Sequence, residues 1–189
     1  MPVSTATLRR IAFIVVVALA SGIAWLASWQ VAQAVLGFTR TEDGIMLVYV
    51  PAGIRLMILL IGGLWGALGI ALAFPVVLLQ VYPNATWAET FIYSAIAGLV
   101  PWAAVYGTCR VAGITREFGR LRAIHLPLLA FAVSLAAGLA NTAALTWFGR
   151  IQADRFLQYT AGMTVGDFLG CFAVILLVRL FVIGRGKRD

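Results

Sequence analysis

The sequence predicts an all-α, polytopic transmembrane helix bundle of about six spans, and three observations carry that expectation. Of 189 residues, 62% are hydrophobic and only 11% are charged, whereas a soluble domain is nearer half apolar and a quarter charged. The apolar residues gather into five long blocks, and most of the charges lie in the short segments between them. So large a surplus, with a mean hydropathy of +0.99, cannot be buried inside one small globule, and lipid must be the solvent. The same composition excludes disorder, a collagen-like repeat and a disulfide scaffold. It also leaves no room for a soluble catalytic domain, so residues 1–189 read as a single integral membrane domain.

The first span is expected over 11–36. Arg9 and Arg10 precede an apolar run that starts at Ile11, as in a signal peptide. The run continues through Trp25 and Trp29 to Leu36, well beyond the 7–15 residues of a signal-peptide core, so it reads as a retained span. The second block, 47–81, is too long for one crossing of about 20 residues. It contains Gly62-Gly63, Gly66, Gly69 and Pro75, which places a break near Gly62-Gly63 and divides it into 47–62 and 64–81, a short Gly-broken pair that either crosses twice or re-enters. Pro51 suits the first turn of a short helix, which leaves residues 47–50 extended. Extended backbone survives at that depth only under protein cover, so this segment is expected at the centre of the bundle. The remaining blocks give spans 89–109, 126–148 and 165–184.

Six spans also satisfy the charge distribution. The formal charge is +7, and in a soluble protein that balance would invite a nucleic-acid reading. Here the bases lie between apolar runs, where positive loops orient a membrane protein and meet lipid headgroups. With an even number of crossings, Arg9, Arg10, Arg110, Arg116, Arg120, Arg122, Arg185, Lys187 and Arg188 share the cytoplasmic side with both termini. Arg40, Arg150 and Arg155 then lie outside. Cys109 and Cys171 sit within apolar runs without metal-ligand spacing and read as small buried hydrophobes. Asn84-Ala85-Thr86 fits a glycosylation sequon and is read as fortuitous.

Ionisable residues inside a bilayer are costly, so each one needs a partner or a purpose. Three are expected within spans. Arg55, about a turn inside span two, and Asp167, close to the outer edge of span six, can meet either as a structural ion pair or as the floor of an outward-facing ligand pocket. Arg179, near the cytoplasmic end, is expected to snorkel to the headgroups. Tyr49, Trp102 and Asn141 are candidate pocket-lining residues. Asn141 and its neighbour Thr142 could equally bond between helices, and Pro101 should kink span four beside Trp102. Gly62-x-x-x-Gly66, Gly166-x-x-x-Gly170 and Ala20-x-x-x-Ala24 permit close helix approach. Enzymatic constellations are missing: His125 is the one histidine, and Glu42, Asp43, Glu89 and Asp154 are scattered in loops without the pairing that acid–base chemistry needs. No cofactor or metal is expected.

Two resemblances add to this reading. Tyr49-Val50-Pro51-Ala52-Gly53-Ile54-Arg55-Leu56, followed by the Gly62-Gly63-Leu64-Trp65-Gly66-Ala67 turn, resembles the opening of the membrane-associated sensor domain of type one. Val165-Gly166-Asp167-Phe168-Leu169-Gly170 resembles that family's Gly-Asp-x-x-Gly motif at the start of its last span. The likeness extends loosely over about residues 47–182, with Pro51, Gly53, Arg55, Gly166, Asp167 and Gly170 at matched positions. It implies a sensor-like module of a bacterial inner membrane. Such modules are usually fused to a cyclic-dinucleotide enzyme or a histidine kinase; here only a few residues follow the last block, so output is expected through a separate membrane protein. The chain is also similar to the six-span substrate-capture subunits of energy-coupling-factor transporters, in which small-residue faces dock the transport partner. The expected function is therefore a non-enzymatic sensor or accessory module with lipids and another membrane protein as partners. A solute-binding transport subunit and a purely structural subunit stand as alternatives.

Overall fold

The computed structural model describes residues 5–39, 41, 45–114 and 124–185. Arg40, Glu42, Asp43, Arg116, Arg120, Arg122, Lys187 and Arg188 lie outside the described residues. The fold consists of five helices: α1 (Thr5–Leu36), α2 (Val50–Val81), α3 (Trp87–Val111), α4 (His125–Trp147) and α5 (Phe156–Arg185). All five are long and apolar enough to cross a membrane, and the described residues hold no β-strand.

α2 is not one rod. Gly63 has φ 53° and ψ −133° within it, a left-handed backbone that favours glycine. The chain reverses there, because a Cβ at Gly66 would lie 2.9 Å from the Ile58 side chain. In a straight helix eight residues separate two positions by about 12 Å. The limbs 50–62 and 64–81 therefore fold back on one another, with the break at the expected glycines.

The second limb runs parallel to α1. Gly62 faces Val17 and Ser21, Gly22 faces the Gly69 carbonyl, and Gln30 bonds Gln80 at 3.4 Å. α2, α3, α4 and α5 close a ring through their successive contacts and the return contact of α5 with α2, and α1 packs against α2. Two helix ends follow directly from sequence. Gly113 and Gly149, at φ 65° and 67°, close α3 and α4: Ile114 and Arg150 N–H groups donate to the carbonyls of Cys109 and Leu145, both at 2.8 Å, as in a Schellman motif. α3 begins with a capping box, in which the Thr86 hydroxyl accepts from Glu89 N–H and the Glu89 carboxylate accepts from Thr86 N–H. Thr86 of the sequon thus has a structural role.

The expected extended stretch lies just before α2. Residues 45–49 pass along α5 beside Gly162, Gly166 and Gly170, whose missing side chains leave room for Ile45, the Met46 carbonyl and the Tyr49 carbonyl respectively. The stretch bends at Leu47 and Val48 and spans the length from Gly162 to Gly170, about 12 Å along α5. Tyr49 N–H donates to the Gly166 carbonyl at 3.0 Å, and Leu47 N–H to the Thr39 carbonyl at 3.2 Å. The Gly166-x-x-x-Gly170 pattern thus holds an extended segment, where helix-to-helix approach was the expectation.

The helix ends differ from the expected ones chiefly in α5, which starts at Phe156 where hydropathy places the start at 165. Thr160 and Thr164 lower the hydropathy of those first turns, yet both are buried inside the bundle. α3 continues through Pro101 without interruption.

Replacing Gly170 by Ala would drive a Cβ into the Tyr49 carbonyl. The backbone there cannot yield, so the cost belongs at the upper end of overpacking, about 3 kcal/mol. A Cβ at Gly107 of α3 would meet nothing within 4 Å, and Gly107→Ala should be neutral or stabilise by up to about 1 kcal/mol. Thermal unfolding of the two variants in the same detergent reads the difference; equal melting temperatures would refute the close approach.

Candidate functional site

A half-open cavity of about 230 Å³ lies among the helices. Arg55, five residues into the first limb of α2, and Asp167 of α5 meet beside it, with Arg55 Nη2 donating to Asp167 Oδ2 at 2.6 Å. The two side chains retain 4% and 13% of their exposure. Asp167 lies further along its helix than expected. Asp167 is eleven residues into α5, about 16 Å along its axis, because the helix begins earlier than its apolar block. Arg55 follows the extended segment 45–49, which carries the chain inward before α2 starts. An unpaired charge at such depth would be costly, and the partner removes most of that cost.

Aromatic side chains form much of the wall. Trp25 and Trp29 reach in from α1, Tyr49 comes from the extended segment and Tyr93 from α3. Trp25 is fully buried and stacks on Phe74 of α2, with ring centroids 5.7 Å apart. Asn141 of α4 also lines the cavity. Trp102 does not: it stacks on Tyr106 at 5.9 Å. Five residues separate it from the lining residue Ala97, a turn of about 140° around α3, so it points elsewhere. Of the expected motif glycines, Gly53 seats the first limb against Gly170 and Val174, Gly62 faces α1, and Gly66 seats the second limb of α2 against the first. Arg179 is exposed near the end of α5, as snorkelling requires. Cys171 is buried.

A second ion pair escaped sequence reading. Glu89, expected in a loop, is buried in the first turn of α3. Its Oε1 accepts from Arg150 at 2.7 Å. The Arg150 guanidinium also lies 5.0 Å from the centre of the Tyr82 ring, a cation–π distance, and the Glu89 carboxylate holds its pKa above the ordinary value. The pair ties the α2–α3 connection to the α4–α5 connection at the end of the cavity where Tyr82 and Val81 stand. Thr86-x-x-Glu89 is a capping-box signature and was a legible signal for the acid; Arg150 as its partner was not.

Among the described residues no group of three or more His, Cys, Asp or Glu side chains is placed to hold a metal ion. The arrangement offers one buried, charge-neutral pair, aromatic walls and a few polar tips, which suit binding and orientation. The fold and site together describe a multi-pass helical membrane protein with an internal cavity. Comparison with protein-family models, curated proteins and solved structures finds no match to this chain.

If Arg55 and Asp167 act as a unit, Arg55→Met alone should destabilise the protein by about 3–5 kcal/mol by leaving a buried carboxylate unpaired. The double variant Arg55→Met, Asp167→Leu should recover most of that loss, since apolar side chains of similar size can replace such a pair. Thermal unfolding in a double-mutant cycle measures this. A double variant as unstable as the single one would show that the two charges are not coupled.

Proposed function

We propose that this chain is a non-enzymatic ligand-binding membrane module that takes a small molecule into the cavity beside Arg55 and Asp167 and relays its occupancy to a separate membrane protein. The observation that carries the reading is the cavity itself. A purely structural ion pair is best served by tight packing around it, whereas here the pair borders open space walled by aromatic side chains. Concave, mostly apolar sites with a few convergent polar groups are the usual form of small-molecule sites.

In this reading the chain crosses a bacterial inner membrane six times: α1, residues 45–62, the second limb of α2, α3, α4 and α5. Residues 45–49 contribute about 13 Å of extended chain and 50–62 about 19 Å of helix, together close to the roughly 30 Å apolar thickness of a bilayer. The positive-inside rule then puts both termini in the cytoplasm and the Tyr82 end of the cavity outside. Occupancy can be felt throughout the bundle, because α1, both limbs of α2, α3, α4 and α5 all contribute lining side chains. Ala20 and Ala24 lie on the exposed face of α1, where small side chains would let a partner helix approach closely.

Native mass spectrometry of the protein released gently from its own membrane tests this. The wild-type chain should carry a small-molecule mass and a second protein at fixed stoichiometry. Gln33→Trp, which fills the cavity from a half-buried lining position, should lose the small molecule while the chain stays folded. A bare chain, or a bound mass unaffected by Gln33→Trp, would sink the proposal.

A further inference from the structure

The structure also bears on what the cavity would hold. We infer that the ligand is a neutral, flat molecule of one or two rings whose edge carries an amide-type pair, an N–H beside a C=O. This rests on reading the cavity as a ligand site and adds the chemistry of the occupant.

Size sets the first limit. A volume of about 230 Å³ holds about seven or eight waters at roughly 30 Å³ each. It falls below the roughly 300 Å³ at which drug-sized pockets begin. One or two rings fit within it, and anything larger extends through its open side. The walls set the second. Trp29 and Tyr93 stand at the cavity wall, and Trp25 packs behind it, stacked on Phe74. Aromatic partners at stacking or edge-to-face distance add about 0.5–1.5 kcal/mol beyond the area they bury, which favours a ring over an alkyl chain.

The floor sets the edge chemistry. Arg55 makes its hydrogen bond to Asp167 through Nη2, and Asp167 accepts it through one of its two oxygens. The guanidinium carries five N–H donors and the carboxylate several acceptor positions, so both retain capacity. Donor and acceptor thus stand side by side at the cavity. A ligand edge that presents C=O to Arg55 and N–H to Asp167 complements the pair.

Charge sets the last limit. Arg55 and Asp167 sum to zero. A ligand with net charge would bring an uncompensated charge to bilayer depth. A zwitterion would bring two further charges to the same depth and leave their hydration behind. A neutral amide edge requires neither.

Equilibrium dialysis of the full-length protein in lipid nanodiscs, with uracil, 1,3-dimethyluracil and orotate as probes, tests the inference. The three share a ring, but the second lacks the N–H donors and the third carries a carboxylate. Uracil should bind at least tenfold more tightly than either, and the preference over dimethyluracil should vanish in Arg55→Met, Asp167→Leu. The comparison among probes needs no variant, so it stands even if the double variant misfolds. Equal retention of uracil and dimethyluracil, or a preference for orotate, would overturn the ligand class and leave the cavity as a binding site. Retention of none of the three would overturn the class as well. Loss of the co-purifying mass in Gln33→Trp would then still support the binding module, and its persistence would sink that reading separately.

Discussion

Lipid supplies no hydrogen bonds, and this chain nonetheless carries a stretch of non-helical backbone into its interior. Residues 45–49 are tolerated because α5 presents a glycine at every fourth position, 162, 166 and 170, and so lets main chain lie against main chain. The Gly166 carbonyl accepts from Tyr49 N–H, satisfying a donor that would otherwise cost several kcal/mol in hydrocarbon. Much of the remaining architecture follows from that contact. It fixes where α2 begins, it sets the depth of Arg55, and it brings α2 against α5 to close the ring.

The Arg55–Asp167 pair is the electrostatic counterpart of the same contact. Gly53 and Gly170 bring the backbones of α2 and α5 together. Arg55 is two residues beyond one and Asp167 three before the other on parallel elements, an axial offset of about 7.5 Å that the long arginine side chain spans. Neither charge could remain at that depth alone. The aromatic walls come from elements that need not pack as tightly, and the cavity is the space left between a close contact on one side and bulky rings on the other.

Much of this was legible in the sequence. Composition gave the solvent, the glycine pair gave the reversal inside 47–81, and Pro51 gave the extended approach to α2. The charged pair followed from the cost of leaving either residue alone in lipid. What hydropathy could not supply was which polar residues face protein. Thr160 and Thr164 pulled the apparent start of α5 inward because a hydropathy window treats every hydroxyl as exposed, although Gly138 receives Thr164 in close contact. Trp102 shows the same gap: it lies on a lining helix, and only the phase around α3, which hydropathy does not report, turns it away from the cavity to pack against the core. Glu89 had a local signature in Thr86-x-x-Glu89, but its ion pair with Arg150 spans 61 residues and depends on two connections meeting at one end of the bundle.

The order of synthesis gives the glycine-lined seat a further meaning. Arg55 and Asp167 are 112 residues apart. At about 5–20 residues per second on the ribosome, roughly 6–22 s pass between the appearance of one and the other. During that interval the extended segment has no cover and the arginine no counter-ion, so the first limb of α2 cannot settle at its final depth. The nascent chain must hold this limb in the translocation machinery, at the interface or against a chaperone until its last helix arrives. A chain interrupted before α5 is left with an unsatisfied backbone and an unpaired charge together, each costly in lipid.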